Sequence, residues 1–437
     1  MKLAFLLLAC MLYQVALGQS GFVLHKNKKL SFPFVFVHNL VIVPIEVNGF
    51  MMNFLLDTGV KETMIFGKSL GEIDSTIFKN KFQGLGRNDG IDGVLAINNQ
   101  VRIAKKMVDN DHPIYVLENA QIDISSRIGI EVNGILGSRF FTDHRIAFDF
   151  IKKRITIFPN DNKIKSLAKM EVLPVEIIGS RPYIAVVVQQ DEELIAGKAL
   201  IDMGNSDAIL LLKERMPNYQ VRPPFITDYI GQGFNGEIYG LRNRIKALRM
   251  GPFEMSYPLV AYPELQSMQN AKIVNERIGS VGNELLRRFK IIFDYPNKRI
   301  YLSKNRNFNK YYYLNMSGLE IIHDGVKWEK QEIPVTLEKD GSKEINFDNK
   351  VQFKFVLKPQ FKIDMVRPES PAELSGLLKG DLILTINGKN ATSFSLEEIT
   401  NLLKSEEGKE IILKIERNNV KQEYRFLLKD PLPFIHD

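Results

Sequence analysis

An apolar run ending in Asp-x-Gly occurs twice, 145 residues apart, as Leu55-Leu56-Asp57-Thr58-Gly59 and Leu200-Ile201-Asp202-Met203-Gly204. The same interval joins Gly134-Ile135-Leu136-Gly137 to Gly279-Ser280-Val281-Gly282, Phe148-Asp149-Phe150 to Phe293-Asp294-Tyr295, and Arg154-Ile155 to Arg299-Ile300. Between these anchors Gly84-Leu85-Gly86 with Gly93 answers to Gly231-Gln232-Gly233 with Gly240, at an interval of 147. Two residues of drift is the loop slippage a duplicated domain accumulates. The chain must therefore fold as two copies of one unit, with an aspartate at the same place in each.

The runs around these motifs are those of strands. Val41-Ile42-Val43-Pro44-Ile45-Glu46-Val47 is β-branched, Asn48-Gly49 is a hairpin dipeptide, and Met51 to Leu56 returns. Short strands continue to about Pro159 with little helical periodicity. The polar stretch Asn160-Asp161-Asn162-Lys163 separates the halves, and Tyr183-Ile184-Ala185-Val186-Val187-Val188 opens the second sheet. The 437 residues suggest roughly three domains. Expected boundaries are 1–18 for a leader, 19–166 and 167–308 for the duplicated lobes, and 309–437 for a third domain with an insertion around 324–350. The fold class is mainly β, two duplicated lobes followed by a small α+β domain.

Composition excludes several functions. The net charge of +7 is spread along the chain without a Lys/Arg stripe, which reads as a solvated surface and argues against nucleic acid. Six scattered histidines and one cysteine form no ligand set at metal spacing, so neither metal nor cofactor is expected. Lys2, the apolar run Leu3 to Leu12 and the small residues of Ala16-Leu17-Gly18 form a secretory signal, with the mature chain starting near Gln19. Export to the periplasm or cell envelope is expected. The apolar run is too short to span a bilayer, and lipid anchoring at Cys10 is disfavoured because Leu8 fits a lipoprotein cleavage site poorly.

Two carboxylates are enough to hydrolyse a peptide bond without metal or covalent nucleophile. One polarises water as a base while the other protonates the carbonyl. Like charges about 3 Å apart do not ionise together, so such a pair keeps one proton near working pH. Gly59 and Gly204 let the backbone fold close enough for N–H groups to face the carboxylates. The bland alternative is that Asp57 and Asp202 are turn-forming residues at strand ends. Asp149 and Asp294, each between aromatic residues and just before a basic turn, are expected to be structural.

On these residues the chain resembles the pepsin-like and retropepsin-like aspartic proteases of the single-chain, two-lobed kind, over about 30 to 305. Asp57-Thr58-Gly59 matches the family's Asp-Thr-Gly, and Ile135-Leu136-Gly137 and Ser280-Val281-Gly282 match its hydrophobic-Gly element. The resemblance implies a catalytic dyad of Asp57 and Asp202, supported by Thr58, Gly59, Gly204 and Asn205, in a monomer that acts on protein or peptide substrates. It also implies glycine-rich hairpins over substrate, for which Gly84, Gly86, Gly231 and Gly233 are candidates; plain loop glycines are the competing reading. Met203 departs from the pattern, because it has no hydroxyl to reciprocate Thr58. Fewer donors to the ionised form raise the pair's upper pKa and imply work closer to neutral pH. The other reading of Met203 is a degenerate protease fold that binds peptides without cleaving them.

Downstream, Ser370-Pro371-Ala372 opens a short helix, Gly380 to Gly388 is a strand running into an Asn-Gly turn, and Ser395 with Glu398 forms a capping box. The run Pro368 to Asp381, continuing to Ile386-Asn387-Gly388-Lys389, is similar to the PDZ domains of bacterial envelope proteases. That resemblance implies capture of a partner's C-terminal peptide at a sheet edge, with Ser317, Gly318 and Leu319 as the candidate carboxylate loop and Glu320 as an unfavourable neighbour. A domain that only packs or mediates assembly is the alternative.

Overall fold

The computed structural model describes residues 21–66, 79–82, 84–86, 90–117, 123–159, 163–234, 236–269, 271, 273–333 and 352–434. The expected leader lies outside them, as does 334–350 of the expected insertion. The chain forms two compact units: Met1–Ile122, Val132–Arg222 and Ile230–Tyr312 make one, and Asp123–Glu131, Pro223–Tyr229 and Tyr313–Asp437 the other. Both are mainly β.

In the first unit, β1 (Leu40–Val47) and β2 (Phe50–Leu56) form a hairpin whose turn residues Asn48 and Gly49 both have positive φ, as a tight two-residue turn requires. β2 ends in three fully buried residues, Phe54, Leu55 and Leu56, because it lies inside the sheet. β3 (Thr63–Phe66), β4 (Ile91–Ile103), β5 (Met107–Leu117) and β6 (Gly134–Leu136) complete the core of this lobe. β6 runs parallel to β2, with Leu55 opposite Ile135 and Leu56 opposite Leu136, and antiparallel to β3. The chain then forms β7 (Arg145–Asp149) and β8 (Arg154–Phe158).

The second lobe repeats the plan. β9 (Arg181–Gln190) and β10 (Glu193–Ile201) form its hairpin, followed by β11 (Ile209–Leu211), β12 (Phe225–Gly233), β13 (Gly236–Arg244), β14 (Leu259–Pro263) and β15 (Arg277–Val281). β15 lies parallel to β10, with Leu200 opposite Ser280 and Ile201 opposite Val281, and antiparallel to β11. The parallel pairing is the first lobe's moved by 145 positions, and in the antiparallel one β11 is moved by 146. β16 (Phe289–Asp294) and β17 (Arg299–Lys304) match β7 and β8.

The lobes share a six-stranded sheet in which β7 pairs antiparallel with β16. Ala147 stands opposite Ile292, its own duplicate, so the pseudo-two-fold axis relating the lobes passes between these two residues. Phe141, Phe148, Phe293 and Tyr295 pack their rings together there. Asp149 accepts from the Lys152 amide and Asp294 from Asn297 and Arg299, so both hold turns, as their aromatic flanks suggest.

The second unit contains α1 (Ile124–Ile128) and a sheet in the order β18 (Leu319–Ile333), β19 (Gln352–Val366), β20 (Leu382–Ile386), β21 (Glu410–Arg417), β22 (Val420–Leu427). Two helices pack on it, α2 (Pro371–Leu374) with Ser370 as N-cap and α3 (Leu396–Leu402) with the Ser395–Glu398 capping box complete. Its core includes Leu319, Ile321, Phe361, Ile363, Ile399 and Leu413. Through residue 333 the expected excursion is paired strand rather than turn, with Trp328 opposite Leu357 and Ile333 opposite Gln352. Its many charges obscure a period-two alternation that places Val326 and Trp328 on one face and Lys327 on the other.

Candidate active site

The aspartates follow strands of equal rank in the two lobes, and each is fixed by its parallel neighbour. The Asp57 amide donates to Leu136 O at 3.0 Å and the Asp202 amide to Val281 O at 2.9 Å. Beyond each aspartate the chain turns back, and the Gly59 amide donates to Asp57 Oδ1 at 2.7 Å while the Gly204 amide donates to Asp202 Oδ1 at 3.1 Å. The two turns cross. A β-carbon on Gly59 would lie 2.9 Å from Asp202 Oδ1 and 3.1 Å from Asp57 Oδ1, and one on Gly204 would collide with the Asp57 carboxylate. Glycine is required at both positions because each turn passes over the other lobe's aspartate.

Beneath the pair, Thr58 is wholly buried and bonds across to the other lobe. Its hydroxyl donates to Ile201 O at 2.6 Å and accepts from the Met203 amide at 2.9 Å. Met203 is buried and its thioether has no O–H to return the bond, so the one-sided arrangement read from the sequence is present. Asn283 compensates in part, its Nδ2 donating to Met203 O at 2.6 Å. Asn283 was not foreseen, although it follows Gly282 and is the 145-residue counterpart of Ser138. The Asn205 side chain braces its own loop by accepting from the Asp207 amide at 2.9 Å, while its backbone N–H favours the ionised form of Asp202.

Burial and then the neighbouring Asp202 charge push Asp57 up to about 7, against hydrogen bonds from the Gly59 and Val60 amides and the charge of Arg181. Burial also raises Asp202, and Arg277 and Arg181 act against it. The upward direction argued from Met203 is found, but burial is its main cause. Neither arginine was anticipated. Arg277 begins β15 and donates through Nε to Gly279 O at 3.1 Å, while Arg181 begins β9, whose pairing of Tyr183 with Leu200 carries on toward Asp202. Both lie far in sequence from the residues they influence.

Gly84 and Gly86 fall beyond the pairing of Phe82 with Ile91, and Gly231 and Gly233 at the end of β12, so both sets lie at hairpin ends. These ends meet. A β-carbon on Gly84 would lie 2.9 Å from Phe234 Cβ, Gly233 abuts Leu85 O, and the Gly86 amide donates to Ser267 O at 2.8 Å. A second polar array went unforeseen: Thr63 Oγ1 lies 2.7 Å from His112 Nε2, and His112 Nδ1 lies 2.8 Å from Asp109 Oδ2, which also meets Arg139 at 3.3 Å. It has the connectivity of a nucleophile–base–acid relay, but the Thr63, His112 and Asp109 side chains are buried and no substrate reaches them. Burial lowers His112; for Asp109 burial works upward, and the His112 hydrogen bond and charge outweigh it.

In the second unit, the order β18-β19-α2-β20-α3-β21-β22, with β18 at the sheet edge, decides the domain type. Residues 362–417 match the family model of the PDZ domain. No curated protein matches the chain. Among solved structures, the aspartic proteinase from Irpex lacteus is similar at 12% identity, covering 65% of this chain and 99% of that one, with a TM-score of 0.43. The candidate carboxylate loop lies outside the matched PDZ residues, and its donors are already engaged. The Ser317 and Gly318 amides donate to Asn315 Oδ1 at 3.0 and 3.3 Å, and the Leu319 amide donates to Ser317 Oγ at 3.0 Å. Asn315, Ser317 and Leu319 are buried, which removes the loop from ready contact with a carboxylate. Among the described residues no helix is long and apolar enough to cross a membrane.

Proposed function

We propose that this chain is an aspartic-type endopeptidase whose dyad is Asp57 and Asp202. The observation that carries the reading is the crossing of the Gly59 and Gly204 turns, which sets each glycine against the other lobe's carboxylate while Asp57 is held up to about 7. Arg277 favours charge on Asp202, so Asp202 is the base and Asp57 the acid. Asp202 takes a proton from water, the water oxygen bonds to the scissile carbonyl carbon, and Asp57 gives its proton to the carbonyl oxygen. Collapse of the resulting gem-diol breaks the C–N bond as the proton on Asp202 passes to the departing amine, and a hydroxyl proton returns to Asp57. One chain supplies both carboxylates, so a monomer suffices. The hairpin ends at Gly84–Gly86 and Gly231–Gly233 would close over the substrate, and the PDZ domain would bring peptides to the enzyme. Export to the cell envelope, without a lipid anchor at Cys10, completes the proposal.

The test is incubation of the protein from Gln19 onward with a mixed peptide pool between pH 4 and 8, reading new termini by mass spectrometry. Cleavage within peptides, falling above about pH 7, is the expected result. Binding of peptides with no new termini at any pH would favour the non-cleaving reading that Met203 suggests.

A further inference from the structure

The PDZ-containing unit holds two short pieces whose sequence neighbours belong to the other unit, Asp123–Glu131 and Pro223–Tyr229. Among the described residues β18 is the outermost strand of its sheet, and a sheet edge is where a peptide adds by β-augmentation. In this chain that place is taken, because α1 lies against β18. Asp123 caps α1 by accepting from the Ser126 amide at 3.0 Å. Gly129 ends it at φ 75°, and a β-carbon there would lie 3.0 Å from Cβ of Leu396, the first residue of α3. The segment thus touches both elements that border the edge. Arg127 secures it by pairing with Asp364 at 3.0 Å; Asp364 is the extra residue of a bulge in β19, where Glu320 and Ile321 face Met365 and Ile363.

The second piece is tied to the same place. The Arg127 guanidinium lies 5.1 Å from the centre of the Tyr229 ring, and Arg367 pairs with Asp228 at 3.7 Å with both side chains largely buried. Arg367 also donates to Asn315 O at 3.3 Å, so the ion pair is joined to the network that closes the carboxylate loop. Asp228 and Tyr229 are in β12, the strand that continues to Gly231 and Gly233 at the hairpin end.

We infer that the outer edge of β18 is an intramolecular docking surface occupied by Asp123–Glu131, and that a peptide taking this edge must displace that segment and loosen the start of β12. A tethered segment acts at an effective concentration of the order of millimolar, so an outside peptide competes poorly until the tethered one is weakened. The internally satisfied carboxylate loop fits an edge that serves a segment of the same chain rather than a free C-terminus. None of this depends on whether the dyad cleaves.

The test uses the full chain and a fluorescent synthetic peptide carrying residues 121–133. Arg127→Asp is expected to bind this peptide at least tenfold more tightly than wild type. Without peptide, its amides from Glu320 to His323 and from Tyr229 to Gly233 are expected to exchange at least tenfold faster. The charge swap Arg127→Asp with Asp364→Arg restores the ion pair and is expected to return peptide binding and the exchange at Glu320–His323 to wild-type values, which separates release of the segment from general unfolding. Equal peptide binding by wild type and Arg127→Asp, with equal exchange at Glu320–His323, would overturn the docking. Faster exchange at β18 in Arg127→Asp with none at β12 would overturn the coupling, and failure of the charge swap to restore wild-type peptide binding would overturn the role of the Arg127–Asp364 pair.

Discussion

Thr58 is the side chain that joins the two turns from below, and its hydroxyl satisfies both a carbonyl and an amide of the opposite lobe. Thr58→Val keeps the shape and strands both groups, so a loss of about 2–4 kcal/mol is expected in urea unfolding, with Thr58→Ser losing much less. Equal losses for the two variants would show that the hydroxyl is not what matters. Asp57 makes a different statement, about pH. Its folded value of about 7 exceeds the unfolded 3.8, so the folded chain keeps a proton that the unfolded chain releases. Its contribution is therefore favourable at low pH, declines as pH rises through about 4 to 7, and is flat beyond. Asp57→Asn removes this slope, so the variant's melting temperature relative to wild type is expected to climb across that window. A difference that stays constant from pH 4 to 8 would contradict the raised value.

At the scale of elements, what was legible in the sequence is what short segments specify by themselves. The Asn48-Gly49 turn, the Ser395–Glu398 capping box and the strand before each Asp-x-Gly depend on neighbours a few residues away, and all are present. The duplication made the larger pairings legible too, since Ile135 beside Leu55 implies Ser280 beside Leu200. What broke the repeat could not be read this way. Arg277 has Val132 as its counterpart and acts on Asp202 across a strand pairing, and His112 meets Thr63 only because β3 and β5 run side by side. Arg277→Met is expected to raise Asp202 and move the acid limb of the kcat/KM profile upward by about one pH unit; an unmoved limb would remove Arg277 from the site. His112→Phe takes one of its side-chain partners from buried Asp109 and leaves it Arg139, and a loss of about 1–3 kcal/mol is expected with cleavage per folded molecule unchanged. A selective loss of kcat would instead give that buried array a part in the chemistry.

Over the whole molecule, the pairing of Ala147 with Ile292 shows why one chain can build a two-sided site: a single pseudo-two-fold axis sets equivalent strands, and therefore equivalent aspartates, in opposed positions. The symmetry is kept at the carboxylates and the glycines and broken at Thr58 and Met203, at Ser138 and Asn283, and around Arg277. Those breaks give the two aspartates different surroundings, which is the condition for one to serve as acid while the other serves as base. The most direct test is the rate of peptide cleavage by wild type, Asp57→Asn and Asp202→Asn, each confirmed folded, across pH 4 to 8. A shared-proton dyad requires measurable wild-type cleavage and a fall of at least a thousandfold in each variant; cleavage that survives both substitutions would contradict it.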